Sequence, residues 1–410
     1  MLTSWVPGAD GSGFPAEHLP YGVFSIGGGE RRVGVRVGDA VLDLAQLATW
    51  GVAGLDEVAA DTFAQPSLNG FLARGPERWR AARERVTELV CDPGARSQVE
   101  PALVPLSAAS LHLPIEVADY VDFYSSIEHA TNLGRLFRPD AEPLLPNWRH
   151  LPVAYHGRAG TVVVSGTPVP RPSGQRRADD EVVFGPSERL DIELEVGAVV
   201  GVPSPPGRPV PVGDAASHVF GLALVNDWSA RDIQAWEYQP LGPFLGKSFA
   251  TTLAAWITPL DALAGCRVPG PPQQPEPLPY LRLADDWGLD LDLSVVLRPA
   301  GGTGAEVVSR TSFAGLYWRL PQQIAHLTVN GAHLRTGDLL ASGTVSGPER
   351  GSEGSLIEMT RGGVEPLAVA GVERRFLADG DEVVLQASAE VAPGVTIRFG
   401  EAAGRVVPGH

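Results

Sequence analysis

The chain has 410 residues, a net charge of −16, and 48 glycines and 37 prolines. That length supports a large core and two domains of unequal size, and so many turn residues suit a fold of short strands. The acidic balance gives nucleic acid no foothold, Cys91 and Cys266 lie too far apart for a disulfide framework or a thiolate zinc site, and no apolar run is long enough to cross a bilayer, so a cytoplasmic protein without nucleic-acid or membrane partners is expected.

The opening MLTSWVPGADGSGFP has neither the basic start nor the apolar core of a signal peptide. Residues 32–44 alternate Val33, Val35 and Val37 with polar positions, turn at Gly38-Asp39 and resume at Val41, which is a hairpin signal. Residues 67–90 read as helix: Ser67 can cap it, Gly75-Pro76 restarts it, and Trp79, Ala82, Val86 and Leu89 recur at helical spacing opposite the solvated face of Arg80, Glu84 and Glu88. Pro101, Pro105 and Pro114 then punctuate the chain, and a motif-dense region begins near Asp119, so the expected domains are 1–118 and 119–410. Strands are expected at 161–164, 220–226, 382–385 and 395–399, and helices at 229–236, behind a candidate Asp227 cap, and at 321–328. The proline-rich runs 202–212 and 268–279 read as stiff surface loops, and the Gly- and Ser-rich 343–355 as a mobile loop beside Thr344.

The chemistry gathers around residues 190–197, LDIELEVG. Period-two alternation puts Leu190, Ile192, Leu194 and Val196 on one strand face and Asp191, Glu193 and Glu195 on the other. Two readings stand: an edge strand with solvated acids, or a hard-cation site, since like charges on one face repel unless a metal lies between them. The chain has no H-E-x-x-H and no G-x-S-x-G, and 242–248, GPFLGKS, is one residue short of a phosphate-binding loop between its glycines. Lys247 nonetheless sits in an apolar setting where an ammonium needs anionic partners. Asp122 in DYVDFYSS and Asp227 in NDW stand at apolar-aromatic junctions where a lone carboxylate is costly. With Glu193 and Glu195 they make an all-oxygen set that favours Mg2+ or Ca2+, and Lys247 and Arg231 would offset the excess charge. His129, seven residues after Asp122, is the candidate base, the other reading being a satisfied structural histidine; Glu358 in GSLIEMT is a carboxylate suited to orient its ring.

Taken together, DYVDFYSSIEHATNLG, LLPNWRHLPVAYHGRAGTVVVSG, LDIELEVG, VNDWSARDIQAWEYQPLGPFLGKSFATT and ASGTVSGPE resemble the fumarylacetoacetase family, as do FPAEHLPYGVFS and IRFGEAAGRVVP near the two ends. The resemblance spans essentially the whole chain. It implies a mainly β fold with some α, in which a small SH3-like β-barrel N-terminal domain precedes a mixed β-roll catalytic domain, and it implies a homodimer. The implied activity is metal-dependent hydrolysis of the carbon–carbon bond of 4-fumarylacetoacetate to fumarate and acetoacetate, in tyrosine and phenylalanine (homogentisate) catabolism, with Mg2+ or Ca2+ as cofactor.

Position by position, the resemblance makes Asp122, Glu193, Glu195 and Asp227 metal-binding acids, with Lys247 and Thr251 at a second metal contact. An ammonium has no lone pair, so any such contact of Lys247 would use its backbone carbonyl. His129 matches the general base and Glu358 its orienting acid, while Arg231, Gln234 and Lys247 match groups that stabilise an oxyanion. Tyr124, Arg138, Tyr155, Gln234, Tyr238 and Thr344 match substrate-contacting positions. A hydrolase or decarboxylase of acylpyruvate-type acids need not keep the N-terminal region or the Tyr124, Arg138, Tyr155 set, and a non-catalytic sensor of small dicarboxylates need not keep His129 or Glu358. All of these are present, which favours the enzyme.

Overall fold

The structure is a computed structural model that describes residues 2–52, 54–55 and 60–409. The hairpin signal is realised as the strands Arg32–Val37 and Ala40–Asp43. Gly38 at their turn has φ +56, and a side chain there would meet the Gly8 backbone at 2.8 Å, so both backbone conformation and space select glycine. Tyr21–Ile26 pairs with Arg32–Val37, and its opposite edge is shared between Ala109–His112 and Trp256–Pro259. Leu103–Pro105 joins Ala40–Asp43 as the outermost strand, so hydrogen bonding among the described residues does not close the N-terminal strands into a barrel.

The helix expected over 67–90 restarts at Gly75-Pro76, as its sequence indicates. A short turn, Asn69–Leu72, ends before Gly75, whose φ of +84 restarts the chain as Pro76–Cys91. Ser67 does not cap the first piece, because Leu68 takes the N-cap position and its own N–H is spent on the Pro114 carbonyl. The second piece buries Trp79, Ala82, Val86 and Leu89, as its spacing required. Trp79 of the second piece meets Phe220 edge-on at 5.2 Å and Phe71 of the first stacks on Tyr21, so the two pieces together pack onto strands from both parts of the chain.

Among the described residues those strands form one sheet of 13. Its central members, Leu194–Val200 and Val219–Asp227, are buried along their whole lengths, which explains the unbroken apolar run VFGLALV. Leu194–Val200 lies between Val219–Asp227 and Leu339–Ala341, so the edge-strand reading of this acidic stretch is overturned. The stretch is also not one strand. It divides into Leu190–Asp191 and Leu194–Val200, and the interruption at Ile192 and Glu193 sends Asp191 away from the other two acids. The helix expected at 229–236 is Arg231–Glu237 with Ala230 at its N-cap, so Asp227 ends a strand and caps nothing.

A second, six-stranded sheet contains Asp292–Arg298, Glu306–Ser312, Glu382–Ala392, Val395–Arg398 and Ala402–Val407 together with Val169–Pro170. Along Glu382–Ala392, Val383, Leu385, Ala387 and Ala389 alternate inward, the pattern of a sheet covered on one side. Trp228, wholly buried beside Gly404, packs the end of the central strand against this sheet. The helix Leu320–Thr328 carries Pro321 in its first turn, as predicted. The fold is mainly β.

Candidate active site

Strand register brings the acids to one end of the large sheet. Ala341 pairs with Asp122, Asp122 with Tyr155, Glu195 with Val225, and Asp227 with Thr251. Asp122, Glu193 and Glu195 are buried, and each offers an oxygen within 4.8 Å of the others. Asp122 Oδ1 and both carboxylate oxygens of Glu195 have no hydrogen-bond partner. Burial, and then the neighbouring charge of Asp227, push the Asp122 carboxyl well above its ordinary range; burial and then Asp122 do the same to Glu195. Buried, all-oxygen and crowded together, with the free oxygens on Asp122 and Glu195, these groups fit a hard divalent cation.

Asp227 lies outside that trio and is satisfied by the protein itself. Its Oδ2 accepts from the Tyr155 hydroxyl at 2.6 Å and the Lys247 ammonium at 2.8 Å, and its Oδ1 accepts from the Thr251 hydroxyl at 3.1 Å. Thr251 therefore touches the site through Asp227. Lys247 also donates to Glu193 Oε2, so the ammonium that looked misplaced in an apolar run bridges two acids. Burial opposes its charge, yet Asp227 and Glu193 together hold its pKa above the ordinary lysine range. Arg231 donates from Nε to Asp191 at 2.8 Å and from Nη1 to Gln234 at 3.2 Å, and its Nη2 makes a 2.8 Å charge contact with Glu193 without hydrogen-bond alignment. Burial would raise Glu193, but Lys247 and Arg231 bring it down to about 2. Because Arg231 also neutralises Asp191, the cationic side chains offset less of the acid cluster than a count of four acids suggests.

His129 enters from the other side. Ser126 caps the helix Ile127–Phe137 by accepting the His129 N–H, which fixes the imidazole in the first turn. Its Nδ1 lies 2.7 Å from Glu358 Oε2, and its Nε2 lies 3.9 Å from Glu193. Glu358 also accepts from Ser355 at 2.6 Å, Ser346 at 3.0 Å and Asn132 at 3.0 Å. Burial pushes this carboxyl up, but His129 and these donors outweigh it and leave Glu358 below its ordinary value, hence ionised. An ionised partner at Nδ1 selects the tautomer protonated there and leaves the Nε2 lone pair facing the acids. Tyr124 stands edge-on to the imidazole with ring centroids 5.3 Å apart.

Both halves border one cavity of about 450 Å3, which Tyr124, Arg138, Tyr155, Gln234, Tyr238 and Thr344 also line. Arg138 donates to the Pro143 carbonyl at 2.8 Å, Thr344 holds a buried hydroxyl with no partner, and Tyr238 sits partly exposed at the mouth. Of the residues given site roles from the sequence, Asp227, Thr251 and Glu358 do not line this space: Asp227 holds Lys247 and Glu358 holds His129, which do, while Thr251 holds Asp227. A larger, more open groove of about 660 Å3, bordered by Trp256 and Arg398, contains none of these side chains. The loop 343–355 is not free: residues 343–346 and 354–355 are buried, Gly343 passes against the Phe123 backbone, and Gly354 donates to Ser346 at 2.9 Å. Sequence reasoning missed Asn132, Ser346, Ser355 and the bond of Asp191 to Arg231. Serines flanking a glycine-rich loop were the one signal available.

Two family models cover nearly the whole chain: one described as Fumarylacetoacetate (FAA) hydrolase C-terminal matches residues 120–407, and one described as Fumarylacetoacetase N-terminal matches 17–114. The chain is 46% identical to fumarylacetoacetase of Homo sapiens over 414 residues, and 47% identical to that of Caenorhabditis elegans over 419, with 99% of each chain covered in both cases. Among solved structures, a fumarylacetoacetate hydrolase from psychrophilic Exiguobacterium antarcticum superposes with a TM-score of 0.56 at 17% identity, over 95% of this chain and 99% of that one; at this identity the likeness concerns the fold alone.

Proposed function

The chain belongs to the fumarylacetoacetase family, and from that premise we infer that it hydrolyses the carbon–carbon bond of 4-fumarylacetoacetate to fumarate and acetoacetate, in tyrosine and phenylalanine catabolism. The observation that carries the reading is the His129–Glu358 pair facing a buried trio of acids across one cavity. A divalent cation held by Asp122, Glu193 and Glu195, with Asp227 behind them, would polarise and align the substrate's oxygens; Mg2+ or Ca2+ suits this donor set.

The chain's own groups do the rest. His129 takes a proton from water at Nε2, and Glu358 stabilises the imidazolium that forms. The hydroxide attacks the carbonyl beside the fumaryl group, and Lys247, Arg231 and Gln234 stabilise the oxyanion. The bond to the neighbouring carbon then breaks. Its electron pair leaves with acetoacetate as an enolate, and the His129 proton returns to that carbon. Arg138 with Tyr124 holds a substrate carboxylate.

The same reading makes the protein a cytoplasmic homodimer with a domain boundary near residue 118. Unpaired Cys91 and Cys266 suit a reducing compartment, and Leu241 and Phe244, 96% and 66% exposed beside the cavity mouth, offer apolar surface to a second copy. The test is the loss of fumarylacetoacetate absorbance by purified protein, before and after chelation and on return of Mg2+ or Ca2+. Rapid, chelator-sensitive cleavage that His129→Ala abolishes without abolishing substrate binding is the expected result. No cleavage by folded, metal-loaded protein refutes the substrate and turns the search to acylpyruvates.

A further inference from the structure

Asp191 is the acid of the 190–197 stretch that no step of the reaction uses, and it is wholly buried. Its Oδ2 accepts from Arg231 Nε at 2.8 Å and from the Ile357 backbone N–H at 3.0 Å. Its Oδ1 accepts from the backbone N–H groups of Leu356 and Ile192, each at 2.7 Å. The short helix Leu356–Met359 receives no side-chain cap from its own N-cap residue, Ser355, whose hydroxyl is spent on Glu358. Asp191 thus supplies, from a different strand, the acceptor that the first N–H groups of a helix require. That helix carries Glu358.

One carboxylate therefore grips both arms of the site. On one side it holds the Nε edge of Arg231, leaving the fork of Nη1 and Nη2 aimed at Gln234 and Glu193. On the other it pins the turn from which Glu358 reaches His129. We propose that Asp191 is a positioning residue for the hydrolysis, setting the guanidinium of Arg231 and the carboxylate of Glu358 in register with each other. The inference rests on the reaction assigned above. A merely structural Asp191 would satisfy the same donors, but its loss would not act through Arg231.

Asp191→Asn is the test variant, because it keeps the shape and turns one acceptor oxygen into a donor that must face either Arg231 and Ile357 or Leu356 and Ile192. The metal-loaded full chain is assayed for turnover of fumarylacetoacetate, with melting temperature and amide hydrogen exchange measured alongside. The expected result is kcat lowered about tenfold or more with KM within about threefold, and faster exchange of the Leu356 and Ile357 amides. The double variant with Arg231→Lys should lose no more than the worse single. Wild-type kcat in Asp191→Asn, or losses that multiply in the double variant, overturns the proposal. If Asp191→Asn does not fold, Arg231→Lys decides alone: lysine keeps a charge beside Glu193 but cannot also hold Asp191. Loss of the oxyanion donor alone predicts lowered turnover in this variant, so the far arm decides: faster exchange of the Leu356 and Ile357 amides upholds the proposal, and exchange as in the wild type overturns it. A wild-type chain that leaves the substrate uncleaved refutes the assigned reaction, an outcome distinct from an active wild type with an indifferent Asp191→Asn.

Discussion

Replacing Glu358 by glutamine keeps the volume of the side chain and removes its charge. In the native chain the carboxylate collects His129, Ser346, Ser355 and Asn132. An amide offers one acceptor oxygen and two N–H donors in place of two acceptor oxygens. If the oxygen turns to His129, the imidazole keeps its proton on Nδ1 and only the charge is lost. A hydrogen bond to a charged group contributes about 1.5–3 kcal/mol against about 0.5–1.5 for a neutral one, so an imidazolium whose partner has become neutral forms about tenfold more slowly. If the NH2 turns to His129 instead, the ring proton moves to Nε2 and no lone pair faces the water. The corresponding Asp→Asn change in a Ser-His-Asp triad costs about ten-thousandfold in kcat. Glu358→Gln is therefore expected to lower kcat by about tenfold at least and about ten-thousandfold at most. KM should change little, since Glu358 does not line the cavity. The assay is the initial rate of absorbance loss at saturating substrate, on protein whose melting temperature matches the native chain. A kcat within about twofold of native would refute the pairing of Glu358 with the base.

Chelation should destabilise the protein more at pH 8 than at pH 5. Asp122 and Glu195, whose ordinary values are 3.8 and 4.5, sit well above them in the metal-free fold, so the folded chain holds protons that the unfolded chain has released and loses stability as pH rises. A cation at about a hundred times its Kd restores about 2.7 kcal/mol, read as a rise in melting temperature, and equal shifts at both pH values would count against a cation among these acids. Glu193 works in the opposite sense: held at about 2 against an ordinary 4.5, its contribution is complete above the ordinary value and is lost only as pH falls toward the lower one, outside that window. Lys247→Met leaves Glu193 and Asp227 without their shared cation, and breaking a buried pair costs about 3–5 kcal/mol. Here the loss should fall at the low end, because Arg231, Tyr155 and Thr251 stay in place; an unchanged melting temperature of the metal-free chain would contradict it. Arg138→Ala should raise KM about tenfold with kcat within about threefold, and a fall in kcat alone would remove Arg138 from substrate binding.

What was legible in the sequence depended on whether a local rule had a competitor. Lys247 announced its partners because an ammonium in an apolar run has no cheap alternative. Trp79, Ala82, Val86 and Leu89 marked a buried helix face for the same reason. The Ser67 cap failed because Leu68, held by its bond to the Pro114 carbonyl, takes the N-cap position. Residues 190–197 misled most instructively. Alternation assigns faces only along an unbroken strand, and the break at Ile192 and Glu193 rotates Asp191 out of the acid cluster and onto Arg231. Asn132 was illegible because an amide is ordinary anywhere and it meets Glu358 across 226 residues of chain, while Ser346 and Ser355 were marked only as members of a Gly- and Ser-rich loop. Barrel closure likewise depends on which edge meets which, and no residue of Tyr21–Ile26 declares that its far edge joins Trp256–Pro259.

That junction gives the first hundred residues a protective duty. Tyr21 and Gly22 occupy the hydrogen-bonding edge beside Ile257 and Trp256, so a fragment starting near residue 119 would bare a ragged row of main-chain donors and acceptors at the rim of its largest sheet. Bare rims recruit strands from other molecules. The isolated C-terminal portion is then a candidate for self-association rather than a convenient minimal enzyme, and heating the intact chain should melt both portions in a single cooperative transition.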